Sequence, residues 1–261
     1  MNKNMLIKTL TALVLVAIVI PPFCLGGILL NLLELAVIFI ASYEISSLCD
    51  QKPHWAMTAL MTVFITSMIY FPSDYYFAGI GLYLVLLFVY HLVNENFSID
   101  ALVYNFIIVF ILTQALLAIT WIYRETFGFT VMLYVALATY LCDTGAYFFG
   151  VFFGKHKFIP RISPNKTWEG AIGGYFTGAI ISFIFALSFC KMLPVHFVII
   201  SSLILPAIAE VGDLAFSSIK RRYKIKDFGS FLPGHGGILD RIDSLLFCLM
   251  VFHILLTFMV M

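Results

Sequence analysis

Charge is scarce in this chain. Of its 261 residues, 15 are Lys or Arg and 14 are Asp or Glu, so 11% are charged, where a soluble domain carries about 25%. Apolar residues make up 62% and the mean hydropathy is +1.03. The two departures point the same way. They exclude a soluble globular protein and predict an all-α, polytopic integral membrane protein. No polar stretch between the apolar runs is long enough for a separate soluble domain. Cys24, Cys49, Cys142, Cys190 and Cys248 show no CxxC spacing and mostly lie in apolar runs, so they read as buried small hydrophobes rather than redox or metal groups. Walker A, GxGxxG, zinc-ligand spacing and a Ser/His/Asp order are absent as well. The first apolar run follows Lys3 and Lys8, and Pro21-Pro22 stands where a small-residue cleavage site would be, so that run reads as retained.

What is abundant is helix-length grease. A bilayer crossing takes about 20 apolar residues, and nine runs qualify, near 6–23, 26–48, 55–71, 75–93, 101–122, 127–150, 170–190, 194–212 and 239–260. The breaks carry Pro21-Pro22, Asp50-Gln51-Lys52-Pro53, Phe71-Pro72-Ser73-Asp74, Asn94-Glu95-Asn96 and Lys191-Met192-Leu193-Pro194. The first pair, joined by a short Pro/Gly link, also reads as one broken or re-entrant element. Residues 1–100 are taken as N-terminal transmembrane helices. Residues 101–261 are taken as a catalytic region with loops at 154–169 and 213–238.

Lysine and arginine orient the chain. With the N-terminus in the cytoplasm, that side collects Lys3, Lys8, Lys52, Lys155, Lys157, Arg161, Lys166, Lys220, Arg221, Arg222, Lys224, Lys226 and Arg241. The other side keeps Arg124 and Lys191. Both basic loops then face the cytoplasm, where nucleoside triphosphates are found.

Small residues recur every fourth position at Ala146, Gly150 and Gly154, and again at Gly170, Gly174 and Gly178. Such ladders let helix backbones approach closely. Packing inside one subunit is the favoured reading, with a dimer seam as the alternative. Ionisable residues within apolar runs are costly and default to functional hypotheses. Here they are Glu34, Glu44, Asp143 and Glu210, with Asp213 and Asp240 at helix ends. Structural pairing is the reading for Glu34 and Glu44, whereas Asp143 stands evenly between a buried structural carboxylate and a site residue.

Two polar stretches carry chemistry. In residues 154–169, Lys155, Lys157, Arg161 and Lys166 are interleaved with Ser163, Asn165, Thr167 and Glu169 ahead of a helix. Cations, hydroxyls and a helix N-terminus suit a polyphosphate; a purely topogenic loop explains the cations but not the interleaving. The stretch from Gly212 to Ser244 holds Asp213, Asp227, Asp240 and Asp243 beside Lys220, Arg221, Arg222, Lys224 and Lys226, and it contains Pro233-Gly234-His235-Gly236-Gly237. Two carboxylates brought together across a loop suit Mg²⁺, which keeps waters and takes phosphate oxygens as its remaining ligands. Lys220, Arg221 and Lys226 add cationic stabilisation, and the glycine-rich turn offers backbone N–H groups to phosphate. His235 either orders that turn or meets a phosphate.

The run Ser217-x-Ile219-Lys220-Arg221-x4-Lys226-Asp227-x-Gly229-x2-Leu232-Pro233-x-His235-Gly236-Gly237-Ile238-x-Asp240-Arg241-Ile242-Asp243 resembles the signature of the phosphatidate cytidylyltransferases, the CDP-diacylglycerol synthases. Asp143-Thr144-x-Ala146-Tyr147 and Ser163-Pro164-Asn165-Lys166-Thr167-x-Glu169-Gly170 resemble a second region of that family. The likeness covers roughly the C-terminal half; the N-terminal helices match only in being hydrophobic. It implies a dimeric enzyme of phospholipid biosynthesis in a bacterial cytoplasmic membrane. CTP and phosphatidic acid are its substrates, CDP-diacylglycerol and pyrophosphate its products, and nucleic acid plays no part.

The likeness also implies Mg²⁺ held by Asp213 and Asp240, with K⁺ sharing the centre and Asp143 a further candidate ligand. Lys226, Asp227, Lys220 and Arg221 are the candidate catalytic residues. Candidate CTP and phosphate contacts are Ser163, Asn165, Lys166, Thr167, Ser217, His235, Gly236, Gly237, Arg241 and Asp243. The residues alone also admit CTP chemistry on another membrane lipid. A transporter is disfavoured because no inverted repeat is evident.

Overall fold

The computed structural model describes residues 3–48, 52–124, 127–234 and 236–260. Cys49, Asp50, Gln51 and His235 lie outside the described residues. Nine α-helices are found among the described residues, and they divide between two compact units. Seven of them are long and apolar enough to cross a bilayer. The chain is an all-α polytopic membrane protein.

The first unit comprises residues 1–117 and 223–241. It contains α1 (Lys3–Leu25), α2 (Gly27–Ser46), α3 (Trp55–Tyr70), α4 (Tyr76–Val93) and the larger part of α5 (Ile99–Arg124). Pro21 and Pro22 lie inside α1 rather than ending it. The break comes at Gly26 and Gly27, both at positive φ (64° and 57°), a backbone region closed to most side chains. At 16 residues, α3 is only about 24 Å long at 1.5 Å per residue, short of a hydrocarbon core of about 30 Å. Buried polar pairs link these helices: Thr58 Oγ1 donates to Ser46 Oγ at 2.8 Å, and the Tyr83 hydroxyl donates to Asn105 Oδ1 at 2.6 Å. Tyr83 also stacks on Phe64, with ring centroids 4.2 Å apart.

The second unit comprises residues 118–222 and 242–261. It holds α6 (Gly128–Phe153), a β-hairpin, α7 (Trp168–Phe189), α8 (Val195–Arg222) and most of α9 (Leu239–Met259). The small-residue ladders mesh within it. A Cβ on Gly170 would sit 2.7 Å from the Ala146 carbonyl, one on Gly174 2.5 Å from that of Cys142, and one on Gly178 2.7 Å from that of Ala138. The backbones of α6 and α7 are therefore in contact along three helical turns. Replacing Gly174 with Ala forces that seam apart, and overpacking of this kind costs about 1–3 kcal/mol. The expected result is a lower thermal midpoint in detergent. Gly81→Ala is the control, because nothing lies within 4 Å of its added methyl.

The hairpin pairs β1 (Lys157–Ile159) with β2 (Ser163–Thr167), with Lys157 opposite Thr167 and Ile159 opposite Ser163. Sequence reading treats this segment as loop; a turn closed by Ile162 N–H on the Ile159 carbonyl (3.1 Å) and the edge-on Phe158–Trp168 pair (4.4 Å) give it order. Tyr134 ties α6 to α8 through 2.7 Å hydrogen bonds to both Ser201 and Ser202. Its ring also meets Phe252 of α9 at 6.0 Å. Cys142, Cys190 and Cys248 are buried, but Cys24 is exposed on α1, a departure from the expectation that the cysteines are core hydrophobes.

Candidate active site

The polar residues of the second unit gather on α8. This helix does not stop near residue 212 as the apolar run suggests, but continues through Asp213 to Arg222. Glu210, Asp213, Ser217 and Lys220 then fall at intervals of three, four and three residues, on one helical face. Lys166, reaching in from β2, places its Nζ 2.5 Å from Glu210 Oε2 and 2.6 Å from Asp213 Oδ2. Ser217 Oγ donates to Asp213 Oδ1 at 3.5 Å, and Lys220 Nζ lies 4.0 Å from Asp243 Oδ2 on α9. Burial alone would push the Lys166 ammonium down; the charges of Asp213 and Glu210 and hydrogen bonds to both outweigh it, so the group is held well above its ordinary value. Asp143, on α6, lies within electrostatic reach of Asp213, Lys166, Asp243 and Glu210.

The hairpin carries other expected contacts. The Thr167 hydroxyl accepts the Gly170 N–H at 3.2 Å and so caps α7. Ser163 is half-buried and Asn165 is exposed on β2. Glu169 accepts the backbone N–H groups of Lys155 (3.1 Å) and His156 (3.2 Å) and meets His156 Nδ1 at 2.6 Å. Arg221 Nε donates to the Ile162 carbonyl at 3.2 Å, tying the end of α8 to the hairpin turn.

The first unit holds the remaining candidates. Asp240, at the start of α9, accepts the N–H groups of Phe228 (2.7 Å) and Gly237 (3.0 Å) on Oδ2. Leu232 N–H closes the glycine turn on the Gly236 carbonyl at 2.9 Å, with Gly234 and Gly236 at φ 77° and 84°. The Asp227 side chain packs against Gly236, where an added Cβ would lie 3.2 Å from its own Cβ. Lys226 and Asp227 are exposed and line a cavity of about 490 Å³ with Lys224, Tyr43, Glu44 and Ser230. Arg241 is exposed on the first turn of α9.

Asp213 and Asp240, expected together, belong to different units. Among the described residues no three His, Cys, Asp or Glu side chains converge to enclose a metal ion. The donors nevertheless fit Mg²⁺. They are hard oxygens, and in the second unit the carboxylates of Asp143, Glu210, Asp213 and Asp243 outnumber the two lysines. Mg²⁺ needs only one or two protein carboxylates when water and phosphate complete its shell.

Two contributors stand outside the expected metal, catalytic and nucleotide sets, although both are among the costly carboxylates of the apolar runs. Glu210 is legible in retrospect, three residues before Asp213 on the same face. Glu44 of α2 accepts the N–H groups of Ile238 and Leu239 at 2.8 and 3.0 Å. That is the pairing expected of it, but across 194 residues no local sequence signal marks the partner.

Comparison with known proteins places the chain in a family. A model of the cytidylyltransferase family matches residues 6–259. A protein of Staphylococcus saprophyticus named phosphatidate cytidylyltransferase is 32% identical over 97% of this chain and 99% of its own. Proteins of the same name from Bacillus subtilis and Staphylococcus aureus are 42% and 46% identical over about half of each chain. By the extent of these matches, from the first helix to the last, the chain belongs to the cytidylyltransferase family and, within it, to the phosphatidate cytidylyltransferases.

Proposed function

We propose that this protein transfers the cytidylyl group of CTP to phosphatidic acid, giving CDP-diacylglycerol and pyrophosphate. The observation that carries the reading is the Lys166–Glu210–Asp213 cluster. It is a partly buried, charge-dense site on a membrane-spanning helix, in a chain similar along its length to a phosphatidate cytidylyltransferase. A lipid substrate gives catalysis a reason to sit on transmembrane helices.

The lipid's phosphate monoester is anionic at neutral pH and needs no strong general base. One of its oxygens attacks the α-phosphorus of CTP. The bond from that phosphorus to the bridging oxygen breaks, and pyrophosphate leaves with the electron pair. Charge neutralisation is the main task, and in water-poor surroundings fixed cations do it effectively. Lys220, Arg221 and Lys226 supply positive charge to the phosphates. Lys166 is a proposed phosphate contact that also holds Asp213 and Glu210, and Asp227 is a proposed catalytic residue that packs against the glycine turn. Ser163, Asn165, Thr167, Ser217, His235, Gly236, Gly237, Arg241 and Asp243 are the proposed nucleotide contacts; the Gly237 N–H is held by Asp240, so the other backbone N–H groups of the turn are those offered to phosphate. Asp213, Asp240 and Asp143 are the proposed Mg²⁺ ligands; the bound ion would offset phosphate charge and steady the leaving pyrophosphate.

The proposed site faces the cytoplasm from a bacterial inner membrane, with the N-terminus on the same side; the Lys and Arg of the two basic loops support this orientation. The enzyme acts as a homodimer. The α6 and α7 ladders are already occupied by each other, so the dimer seam lies elsewhere.

The test uses purified protein in detergent with labelled CTP, Mg²⁺ and a panel of lipids. Lipid-extractable label is expected with phosphatidic acid, and none with EDTA or with ATP replacing CTP. Product with another lipid but not with phosphatidic acid would reassign the acceptor, and silence with every lipid would contradict catalysis.

A further inference from the structure

Gly229 and Gly237 belong to the polar stretch, yet neither takes a positive φ. Glycine is not needed there for its backbone. It is needed for room: a Cβ on Gly229 would lie 2.8 Å from Glu44 Oε1, and one on Gly237 would lie 2.5 Å from Oε1 and 2.6 Å from Oε2. The Glu44 side chain, 1% exposed, enters between these two glycines. It accepts the N–H groups of Ile238 and Leu239, the first orphan donors of α9. The next residue is Asp240, whose own carboxylate grips Phe228 and Gly237.

From this geometry we infer that Glu44, on a helix outside the polar signature, is the positioning residue for the segment from Asp227 to Asp240. A carboxylate satisfying two backbone donors fixes where α9 begins, and with it the direction in which Asp240 and the glycine turn present their polar groups. Charge-assisted bonds of this kind are short and strong. Groups that orient metal or phosphate ligands typically contribute about 10–100-fold to affinity or activity. This inference rests on the cytidylyltransferase reading for its catalytic consequence, but not for its structural one.

Glu44→Gln is the informative variant: it keeps size and one acceptor, but turns an amide N–H₂ toward a backbone N–H. Two readouts are taken on the full-length protein. In hydrogen exchange, peptides spanning 227–240 are expected to exchange faster in Glu44→Gln, and in Gly237→Ala, which crowds the same carboxylate. The interior of α9 should stay unchanged. In turnover, kcat is expected to fall about 10–100-fold and the Mg²⁺ concentration for half-activation to rise, while KM for the lipid stays within about twofold. Unchanged exchange in 227–240 overturns the inference whatever the enzyme does. So does a kcat loss with no change in Mg²⁺ response, which marks a merely structural role. Faster exchange in a protein whose wild type makes no lipid product upholds the positioning contact and rejects the reaction.

Discussion

Replacing Lys166 with Met is expected to abolish turnover and to lower the yield of folded protein sharply. The ammonium is half-buried between Glu210 at 2.5 Å and Asp213 at 2.6 Å. Removing it leaves two carboxylates facing each other; breaking a fully buried pair from one side costs about 3–5 kcal/mol, and the partial exposure of Asp213 brings the cost here toward the lower end. That is a large fraction of the stability of a typical domain. The double variant Lys166→Met, Glu210→Gln removes one of the stranded charges. It is expected to recover folded protein, read as a monodisperse peak and a restored thermal midpoint, while remaining inactive. Recovery of activity with stability would mean that Lys166 only holds the fold together. Wild-type behaviour of the single variant would remove the cluster from the account.

The second large effect is at Asp240. Its Oδ2 accepts two backbone N–H groups, from Phe228 and Gly237, so the residue both braces the turn and presents charge. Asn keeps an acceptor oxygen for the two donors but loses the charge; Ala loses both. Asp240→Asn is expected to stay folded with kcat reduced about 10²–10³-fold, the scale for removing one electrostatic group from a transition state. Asp240→Ala is expected to be equally inactive and also destabilised, because each buried N–H left without a partner costs about 1–3 kcal/mol. Full activity in the Asn variant would confine Asp240 to bracing.

Much of the membrane architecture was legible because hydropathy is summed over whole helices: seven of the nine apolar runs appear as helices of crossing length. The glycine ladders were legible for a similar reason, since a four-residue repeat is a property of one helix face. The end of α8 was not. Its apolar character stops at Gly212, but helical hydrogen bonding continues to Arg222, carried by residues such as Lys220 and Arg221 that favour helix as strongly as leucine does. Ending the helix early hid the stripe Glu210–Asp213–Ser217–Lys220, and with it the partner of Lys166. The hairpin at 157–167 was hidden because three- and five-residue strands leave almost no alternation to read. The sequence marks Glu44 as needing a partner, but the partner is the backbone of Ile238 and Leu239, which no side-chain pattern announces. The motif residues of the C-terminal half were named from sequence. What the structure adds is their grouping: Asp143, Lys166, Asp213, Ser217, Lys220 and Asp243 in one unit, and Lys226, Asp227, Gly236, Gly237, Asp240 and Arg241 in the other.

The most direct measurement compares CTP labelled at the α-phosphorus with CTP labelled at the γ-phosphorus, each incubated with phosphatidic acid, Mg²⁺ and the purified protein. Attack at the α-phosphorus predicts that α-label partitions into the lipid extract and γ-label is released as pyrophosphate, one for one. Lipid carrying γ-label, or γ-label released as inorganic phosphate with no labelled lipid, would contradict cytidylyl transfer and identify the protein as a kinase or a nucleotide hydrolase instead.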